Sequence, residues 1–294
     1  MATPRAVMVR RATELDEVIG RHGTRGQAEF FLRTREQSIE PLVERHRALA
    51  LARAEVLGAL PADWRRAEVE RSELARFVFE PDDIVLVVGQ DGLVANVAKY
   101  LVAQPVIGID PLPGTNPGVL VPHAAAATAD LVRDVVGGRA AYLERTMVRA
   151  VADDGQELTA LNEVYVGQEG HQSARYVLGW RGVQERQSSS GVIVGTGTGA
   201  SGWCASIQRA SAPGVVLPEP AQPRLAWFVR EPWPSAVTGT DLAAGVLGDD
   251  QLLVKVESES LVTFGDGIEA DRLVLGWGQR VLIGRSPRVL RTVV

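Results

Sequence analysis

The sequence contains a single cysteine, Cys204, among its 294 residues, and this scarcity excludes two kinds of site. A disulfide within the chain needs two thiols, and structural zinc sites usually take two or more cysteines. The histidines are dispersed along the chain, and none follows another at the HxxxH spacing typical of zinc enzymes: His22, His46, His123 and His171. We therefore expect no disulfide bond and no metal centre built from protein ligands alone.

Long apolar runs are also missing. No hydrophobic stretch approaches the roughly 18 residues that a bilayer-spanning helix requires. Residues 1–11 lack the apolar core of a secretory signal peptide. Together with the single cysteine, these absences predict a soluble protein of a reducing compartment, most simply the cytoplasm, with no membrane partner.

The chain has no excess of positive charge. It carries 31 Lys and Arg against 36 Asp and Glu, a net charge of −5, which does not suit a surface that must neutralise a nucleic-acid backbone. An anionic substrate would instead be held by local arginines, helix N-termini or Mg²⁺. Hydrophobic residues make up 46% of the chain and charged residues 23%, which is the composition of an ordinary globular protein.

The first half of the chain alternates between predicted strands and helices. Residues 84–88 form a continuous apolar, β-branched run, the pattern of a central parallel strand that is buried on both faces. The other predicted strands cover residues 6–9 and 106–109, and the predicted helices cover residues 26–60 with a break at Pro41, 64–78, 93–102 and 124–136. This alternation predicts a doubly wound, Rossmann-like α/β domain.

The second half of the chain has a different sequence pattern, in which short β-rich runs are separated by turns such as residues 153–155 and 265–267. The longest of the predicted strands cover residues 146–151, 160–166, 225–229 and 252–256, and the last covers 280–283. We predict an α/β class protein with an α/β domain over residues 1–140 and a β-rich domain over residues 141–294.

The first candidate site is Gly89-Gln90-Asp91-Gly92, directly after the buried strand. Ligands of open α/β sheets bind outside the carboxyl ends of the strands, and a following helix offers unpaired N–H groups to phosphates. The Asp91 carboxylate can take a proton from a hydroxyl or help to hold Mg²⁺. The same four residues also suit an ordinary strand-to-helix turn.

The second candidate is the segment from Gly195 to Trp203, in which four glycines alternate with Thr196, Thr198 and Ser201. Such a backbone is rich in N–H and hydroxyl donors, which suits a phosphate or a ribose. It matches neither G-x-G-x-x-G nor the Walker spacing, because no lysine follows. It is either a ligand-binding turn of another kind or a glycine-rich turn that leads into a helix.

Two shorter segments complete the set. Asn162-Glu163 precedes a β-rich run and offers hydrogen-bonding groups for a nucleoside, although the pair also suits a solvated turn. Gly265-Asp266-Gly267 has the sequence of a hairpin turn.

Taken in chain order, these four segments resemble the ATP-dependent NAD kinase family. That family carries G-G-D-G-T after a strand, an A-x-N-E-like segment, a T-P-T-G-S-T-A-Y loop and a D-G hairpin. The corresponding segments here are residues 89–93, 160–164, 196–203 and 266–267. Residues 106–110 also resemble the family's V-x-G-I-N strand end, and residues 144–148 resemble its entry into the β domain.

The resemblance implies transfer of the γ-phosphate of ATP, with Mg²⁺, to the adenosine ribose 2′-hydroxyl of NAD, which gives NADP. It makes Asp91 the catalytic base or orienting carboxylate, and it places Gly89, Gln90 and Gly92 at the phosphates. The NAD-binding residues that it implies are Asn162, Glu163, Ser190, Thr196, Thr198, Gly199 and Ser201. The family also implies a homodimer or homotetramer whose sites are built partly from neighbouring β domains.

The sequence departs from the family pattern at several positions. Gln90 occupies the position of a glycine in the family pattern, Leu93 that of a threonine and Ser190 that of an aspartate. Gly197 and Trp203 replace the proline and the tyrosine of the loop. These changes leave open a related kinase with a nucleoside, sugar or other hydroxyl acceptor, and a nucleotide-binding relative without catalysis.

A lipid or sphingoid kinase is the remaining alternative. The segment from Pro111 to Asn116 resembles the P-x-G-T-x-N loop of that family, but Pro117 occupies the position where the family has an aspartate.

Overall fold

The computed structural model describes residues 4–115 and 118–294, which form two compact units. The first unit comprises the chain up to Tyr142 together with Arg291–Val294, and the second comprises Leu143–Leu290. The last four residues thus belong to the first unit, whereas the sequence boundaries of 1–140 and 141–294 assigned them to the second. Residues 116 and 117, at the end of the segment that resembles the lipid-kinase loop, lie outside the described residues.

The first unit alternates strands and helices along the chain. In order, these are β1 (Arg5–Arg10), α1 (Glu14–His22), α2 (Arg25–Arg33), α3 (Glu40–Ala59), β2 (Arg65–Glu70), β3 (Ile84–Val88), α4 (Asp91–Ala98), β4 (Pro105–Asp110), β5 (His123–Ala124) and α5 (Thr128–Val136). Among the residues described, no helix combines the length and the apolar character needed to cross a bilayer.

The strands of the first unit form a parallel sheet in the order β2-β1-β3-β4. Its central strand β3 is buried throughout, as its continuous apolar run predicts. Helices α3 and α5 contribute Val56 and Val132 to the cluster that covers one face of the sheet. The predicted parallel α/β architecture is confirmed.

One local prediction for this unit is wrong, and one helix was not predicted. Residues 64–78 form β2 and a short 3₁₀ turn (Arg71–Arg76) instead of a helix, because β2 pairs along its whole length with β1. Helix α1 was not predicted. Thr13 starts it with a capping box, since its side chain accepts the Asp16 N–H and the Asp16 carboxylate accepts the Thr13 N–H.

The second unit is built almost entirely of strands. They are β6 (Tyr142–Ala152), β7 (Glu157–Ala160), β8 (Glu163–Gly167), β9 (Ala174–Trp180), β10 (Val183–Ser189), β11 (Val192–Gly195), β12 (Leu225–Val229), β13 (Ala244–Leu247), β14 (Leu252–Val256), β15 (Ser260–Gly265), β16 (Ile268–Gly276) and β17 (Arg280–Val293). A single helix among the described residues of this unit, α6 (Trp203–Ser211), follows β11.

These strands form two largely antiparallel layers. One has the order β10-β9-β14-β17-β6-β7, and the other has the order β13-β12-β11-β8-β15-β16. A shared cluster of buried side chains, centred on Tyr176 and Trp227, joins the two layers into one core. The predicted β-rich second half is therefore confirmed, and its last strand continues ten residues beyond the predicted end at residue 283.

Candidate functional site

The turn at residues 89–92 lies at the topological switch point of the parallel sheet. The chain passes from β1 to β2 on one side and then crosses to β3 on the other, so the carboxyl ends of β1 and β3 flank this point. Ligands of open α/β sheets bind at such a switch point. The Gly89 N–H donates to the Ile109 carbonyl at 3.0 Å, which ties the turn to the end of β4.

Asp91 begins α4, and its carboxylate is held by two backbone amides. Its Oδ1 accepts the Leu120 N–H at 2.8 Å, and its Oδ2 accepts the Val119 N–H at 3.1 Å. The helix N-terminus also favours a negative charge at this position. A carboxylate has about four lone-pair sites, so acceptor capacity remains for a substrate hydroxyl or a metal-bound water.

Gly108 in β4 lets residues 119–120 approach Asp91. A Cβ at position 108 would lie 1.9 Å from the Leu120 carbonyl oxygen, which is far inside any contact distance. The glycine of the V-I-G-I-D segment therefore permits the chain to cross the strand and present its two amides. The sequence shows this glycine, but the close approach that requires it is visible only in the folded chain.

Gln90 and Leu93, the positions of the 89–93 segment that differ from the G-G-D-G-T pattern, have different surroundings. Gln90 is exposed and precedes the helix in an extended conformation. Leu93 is 5% exposed, and its Cδ2 lies 3.1 Å from where a Cβ on Gly89 would stand, so it packs beneath the turn. Gly92 is exposed, and a Cβ added to it would meet no atom within 4 Å. Gln90 and Gly92 are thus the most exposed residues of this turn, while Gly89 and Asp91 are half-buried.

In the second unit, Asp266 joins two of the motifs. Its Oδ1 accepts the Asn162 N–H at 2.6 Å, its Oδ2 accepts the Leu161 N–H at 2.9 Å, and its own N–H donates to the Glu163 carbonyl at 3.1 Å. This hairpin residue has a φ of +54°. The predicted strand over residues 160–166 is interrupted at Leu161 and Asn162 because their amides bond to Asp266.

Thr196 brings the glycine-rich turn to the same place. Its N–H donates to the Asn162 carbonyl at 2.8 Å, and its hydroxyl donates to the Leu161 carbonyl at 2.5 Å. The hydroxyl oxygen also accepts the Thr198 N–H at 3.1 Å and the Gly199 N–H at 3.3 Å. Thr196 is 1% exposed, so it shapes the turn from beneath.

Two glycines of this turn occupy places where a side chain does not fit. A Cβ on Gly199 would lie 2.4 Å from the Asn162 carbonyl oxygen. A Cβ on Gly197 would lie 2.0 Å from the Glu219 carbonyl oxygen. The glycines therefore let residues 196–199 pack directly on two other backbone segments.

Glu163 and Thr198 are polar groups at this turn that lack partners. Burial, with the nearby charge of Asp266, raises the pKa of the Glu163 carboxyl to about 7. Among the described residues no group donates to that carboxyl, and the buried Thr198 hydroxyl has no hydrogen-bond partner either. The unpaired Thr198 hydroxyl is withdrawn from water, which costs free energy that a bound ligand with a matching group would offset.

Cys204 lies directly under the turn. A Cβ on Gly195 would lie 2.3 Å from its Sγ, and burial, with a contribution from Glu163, raises the pKa of the thiol to about 12. The thiol is therefore neutral and a poor nucleophile, as expected for a buried structural cysteine.

Ser190 and Ser201, two of the predicted NAD-binding residues, have surroundings different from those of Glu163 and Thr198. Ser190 lies at the opposite end of β11 from Thr196, where its N–H donates to the Arg230 carbonyl and its own carbonyl accepts the Tyr165 hydroxyl. The structure therefore does not bring Ser190 into the Thr196 turn, because a four-residue strand separates them. Ser201 is exposed on the 3₁₀ turn Gly199–Ser201 that follows Thr198.

An aromatic stack beside Ser190 was not predicted. The rings of Tyr165 and Trp203 stack with centroids 6.0 Å apart, and the Arg230 guanidinium lies 4.9 Å from the Trp203 ring centroid. The three residues come from β8, α6 and the end of β12, so no local sequence pattern connects them. Trp203 thus lies next to both a second aromatic ring and a guanidinium.

The described part of the chain has no group of three or more His, Cys, Asp or Glu side chains placed to hold a metal ion.

Comparison with known proteins gives a match in fold alone. No protein-family model matches the chain, and no curated protein sequence matches it. Its structure is similar to the crystal structure of yeast NADH kinase complexed with NADH, with a TM-score of 0.61 and 14% sequence identity over 100% of this chain and 84% of that one. The parallel sheet and the antiparallel β-rich unit therefore form an NAD kinase-like fold.

Proposed function

We propose that this protein is an NAD kinase-like phosphotransferase that moves the γ-phosphate of ATP to the 2′-hydroxyl of NAD. The observation that carries the proposal is the meeting of three motifs, residues 161–163, 196–199 and Asp266, in one hydrogen-bonded cluster. These motifs follow the order of the NAD kinase family, and the fold resembles that of a kinase solved with NADH.

In the second unit, the unpartnered groups of this cluster would bind the dinucleotide. The Glu163 carboxyl would accept hydrogen bonds from ligand hydroxyl or amide groups, and the Thr198 hydroxyl would gain a partner. Asn162 and Ser201 offer further polar side chains, and Gly199 allows close backbone approach. Thr196 would hold these groups in place, and the distant Ser190 would act only through the Tyr165–Trp203 stack.

In the first unit, Asp91 would accept the proton of the attacking hydroxyl or orient that hydroxyl. The Val119 and Leu120 amides hold its carboxylate in a fixed direction. The exposed Gln90 and Gly92, with Gly89, would meet the phosphates at the N-terminus of α4.

Mg²⁺ fits this arrangement as a companion of ATP. It is commonly bound through one or two carboxylates together with substrate phosphates, and Asp91 is the carboxylate of this turn. Bound there, it would neutralise charge on the phosphates. Positioning and charge neutralisation supply most of the catalysis in phosphoryl transfer.

The test is to incubate the protein with Mg²⁺, ATP and NAD and to detect NADP with an NADP-specific dehydrogenase. Asp91→Asn keeps the size of the side chain and removes its ability to take a proton, so we expect turnover to fall about 10²- to 10⁴-fold. Asp63→Asn, at an exposed loop position, is the matched control and keeps full turnover.

Other outcomes would contradict the proposal. NAD binding without NADP formation would favour a non-catalytic relative, and phosphorylation of a nucleoside, sugar or lipid would identify another acceptor. Full turnover in Asp91→Asn would exclude the carboxylate as the base. Light scattering would test the homodimer or homotetramer that the family resemblance implies.

A further inference from the structure

The second unit contains a depression that none of the residues discussed above lines. Two neighbouring cavities of about 570 and 390 Å³ share Arg224, Gly248 and Asp249, so they form two lobes of one depression. Pockets for small molecules usually measure about 300 to 1,000 Å³. The larger lobe is therefore big enough for a ligand with one or two rings.

One wall of the depression is apolar. It is formed by Trp180, Val216 and Val246, of which Val216 is 81% exposed. The Trp180 ring packs edge-on against the buried Trp227 ring at 5.2 Å between centroids, and its Nε1 donates to the Asp250 carboxylate at 2.8 Å. The Arg181 guanidinium lies over the same ring, 4.5 Å from its centroid, so a ligand ring would contact the part of Trp180 that lines the larger lobe beside Arg181. A side chain anchored in this way offers a contact surface at little cost in conformational entropy.

Three arginines and two aspartates line the depression, so its lining carries one more positive than negative side chain. Asp250 accepts a hydrogen bond from Arg181 at 2.9 Å, and Asp249 forms an ion pair with Arg285 at 2.7 Å. Both carboxylates are thus matched by an arginine. Arg224 borders both lobes, and its guanidinium has no hydrogen bond or ion pair with any described residue.

We propose that this depression binds a flat aromatic molecule that carries one anionic group. The ring lies against the wall of Trp180 and Val216, and the anion pairs with Arg224. A guanidinium can bind a carboxylate or a phosphate through two parallel hydrogen bonds, so both anions suit the site. The proposed kinase reaction uses none of these residues, and this inference stands apart from it.

The experiment is isothermal titration of the full chain with AMP and with indole-3-acetate, which share a ring and an anion, and with adenosine, which has no anion. To remove the NAD site proposed above, the titrations are repeated in Asn162→Ala. We expect saturable binding of at least one anionic probe in both backgrounds, and much weaker binding of adenosine. The probe that binds identifies the source of the anion as a nucleotide or an aromatic carboxylate.

Three variants make the test specific. Arg224→Ala should weaken binding about tenfold or more, as expected for loss of a charged hydrogen-bonding partner. Val216→Asp adds a negative charge at a highly exposed position, so it should weaken binding without disturbing the fold. Arg209→Ala removes an exposed arginine of α6 and should leave binding unchanged.

Three results would overturn the proposal. These are no saturable binding of either anionic probe, equal affinity in Arg224→Ala and the unchanged chain, and binding that disappears entirely in Asn162→Ala.

Discussion

Glu163 links the candidate site to the pH dependence of stability. Its carboxyl has a pKa of about 7 in the folded chain, against an ordinary value of 4.5, because burial and the charge of Asp266 disfavour ionisation. The folded state thus holds this proton more tightly than the unfolded state. The resulting stabilisation is fully present below pH 4.5 and is lost as the pH rises through about 7.

The substitution Glu163→Gln should remove this pH dependence, because an amide does not ionise. At about 1.4 kcal/mol per pKa unit, the unfolding free energy of the unchanged chain should fall by roughly 3 kcal/mol relative to the variant between pH 4.5 and 8. Urea unfolding of both proteins across this range measures the difference. An offset that stays constant with pH would show that Glu163 does not titrate as described.

At the scale of single residues, the sequence identified most of the second-unit cluster but not how it is held together. Asn162, Glu163 and Thr198 were found from their motifs. Asp266 was read as a turn residue, and its carboxylate was not predicted to accept amides 104 and 105 positions away. Ser190 was grouped with the others by resemblance, although β11 separates it from their turn. Such contacts depend on the register of distant strands, which no local pattern records.

Among the elements, β4 controls the candidate catalytic turn through Gly108. The substitution Gly108→Ala places a Cβ 1.9 Å from the Leu120 carbonyl oxygen, so residues 119–120 must move. We expect a loss of about 1 to 3 kcal/mol of stability, as for other overpacked sites. Turnover in the NADP assay should also fall, because Asp91 loses the two amides that orient it. Thermal unfolding and the NADP assay measure the two effects.

Gly92→Ala is the matched control for stability. A Cβ there meets no atom within 4 Å, and position 92 lies in the first turn of α4. Alanine is the better helix former, so the variant should be at least as stable as the unchanged chain. Equal destabilisation of both variants would show that the contact with Leu120 is not the cause.

The elements that were predicted correctly are those whose own sequence determines them. The apolar run of β3 has the bounds of the predicted strand, and Pro41 lies at the start of α3, where the helical pattern was expected to restart. In contrast, β2 has a charged sequence, and its extended form comes from parallel pairing with β1, with Arg65 opposite Arg5. The continuation of β17 past residue 283 likewise depends on neighbouring strands.

For the whole molecule, the end of the chain completes the first unit. Arg291 and Thr292 pair in parallel with Pro105 and Val106 of β4, and Val293 is 3% exposed in the cluster that covers this sheet. A sequence divided into consecutive domains cannot show this return. The first unit therefore needs residues separated from the rest of it by the whole second unit.

Deletion of residues 291–294 should consequently loosen the first unit's sheet next to β4. The deletion removes the paired neighbour of β4 and the buried Val293 side chain, whose burial alone contributes about 1.5 to 3 kcal/mol. Hydrogen exchange should become faster in β4, and it should stay unchanged in β12, which lies in the core of the second unit. Val294→Ala, at a position 58% exposed, is the control and should leave exchange unchanged. No other described segment pairs with residues 105 and 106 on that side of β4. Unchanged protection of β4 after the deletion would therefore contradict this prediction and show that the sheet is stable without residues 291–294.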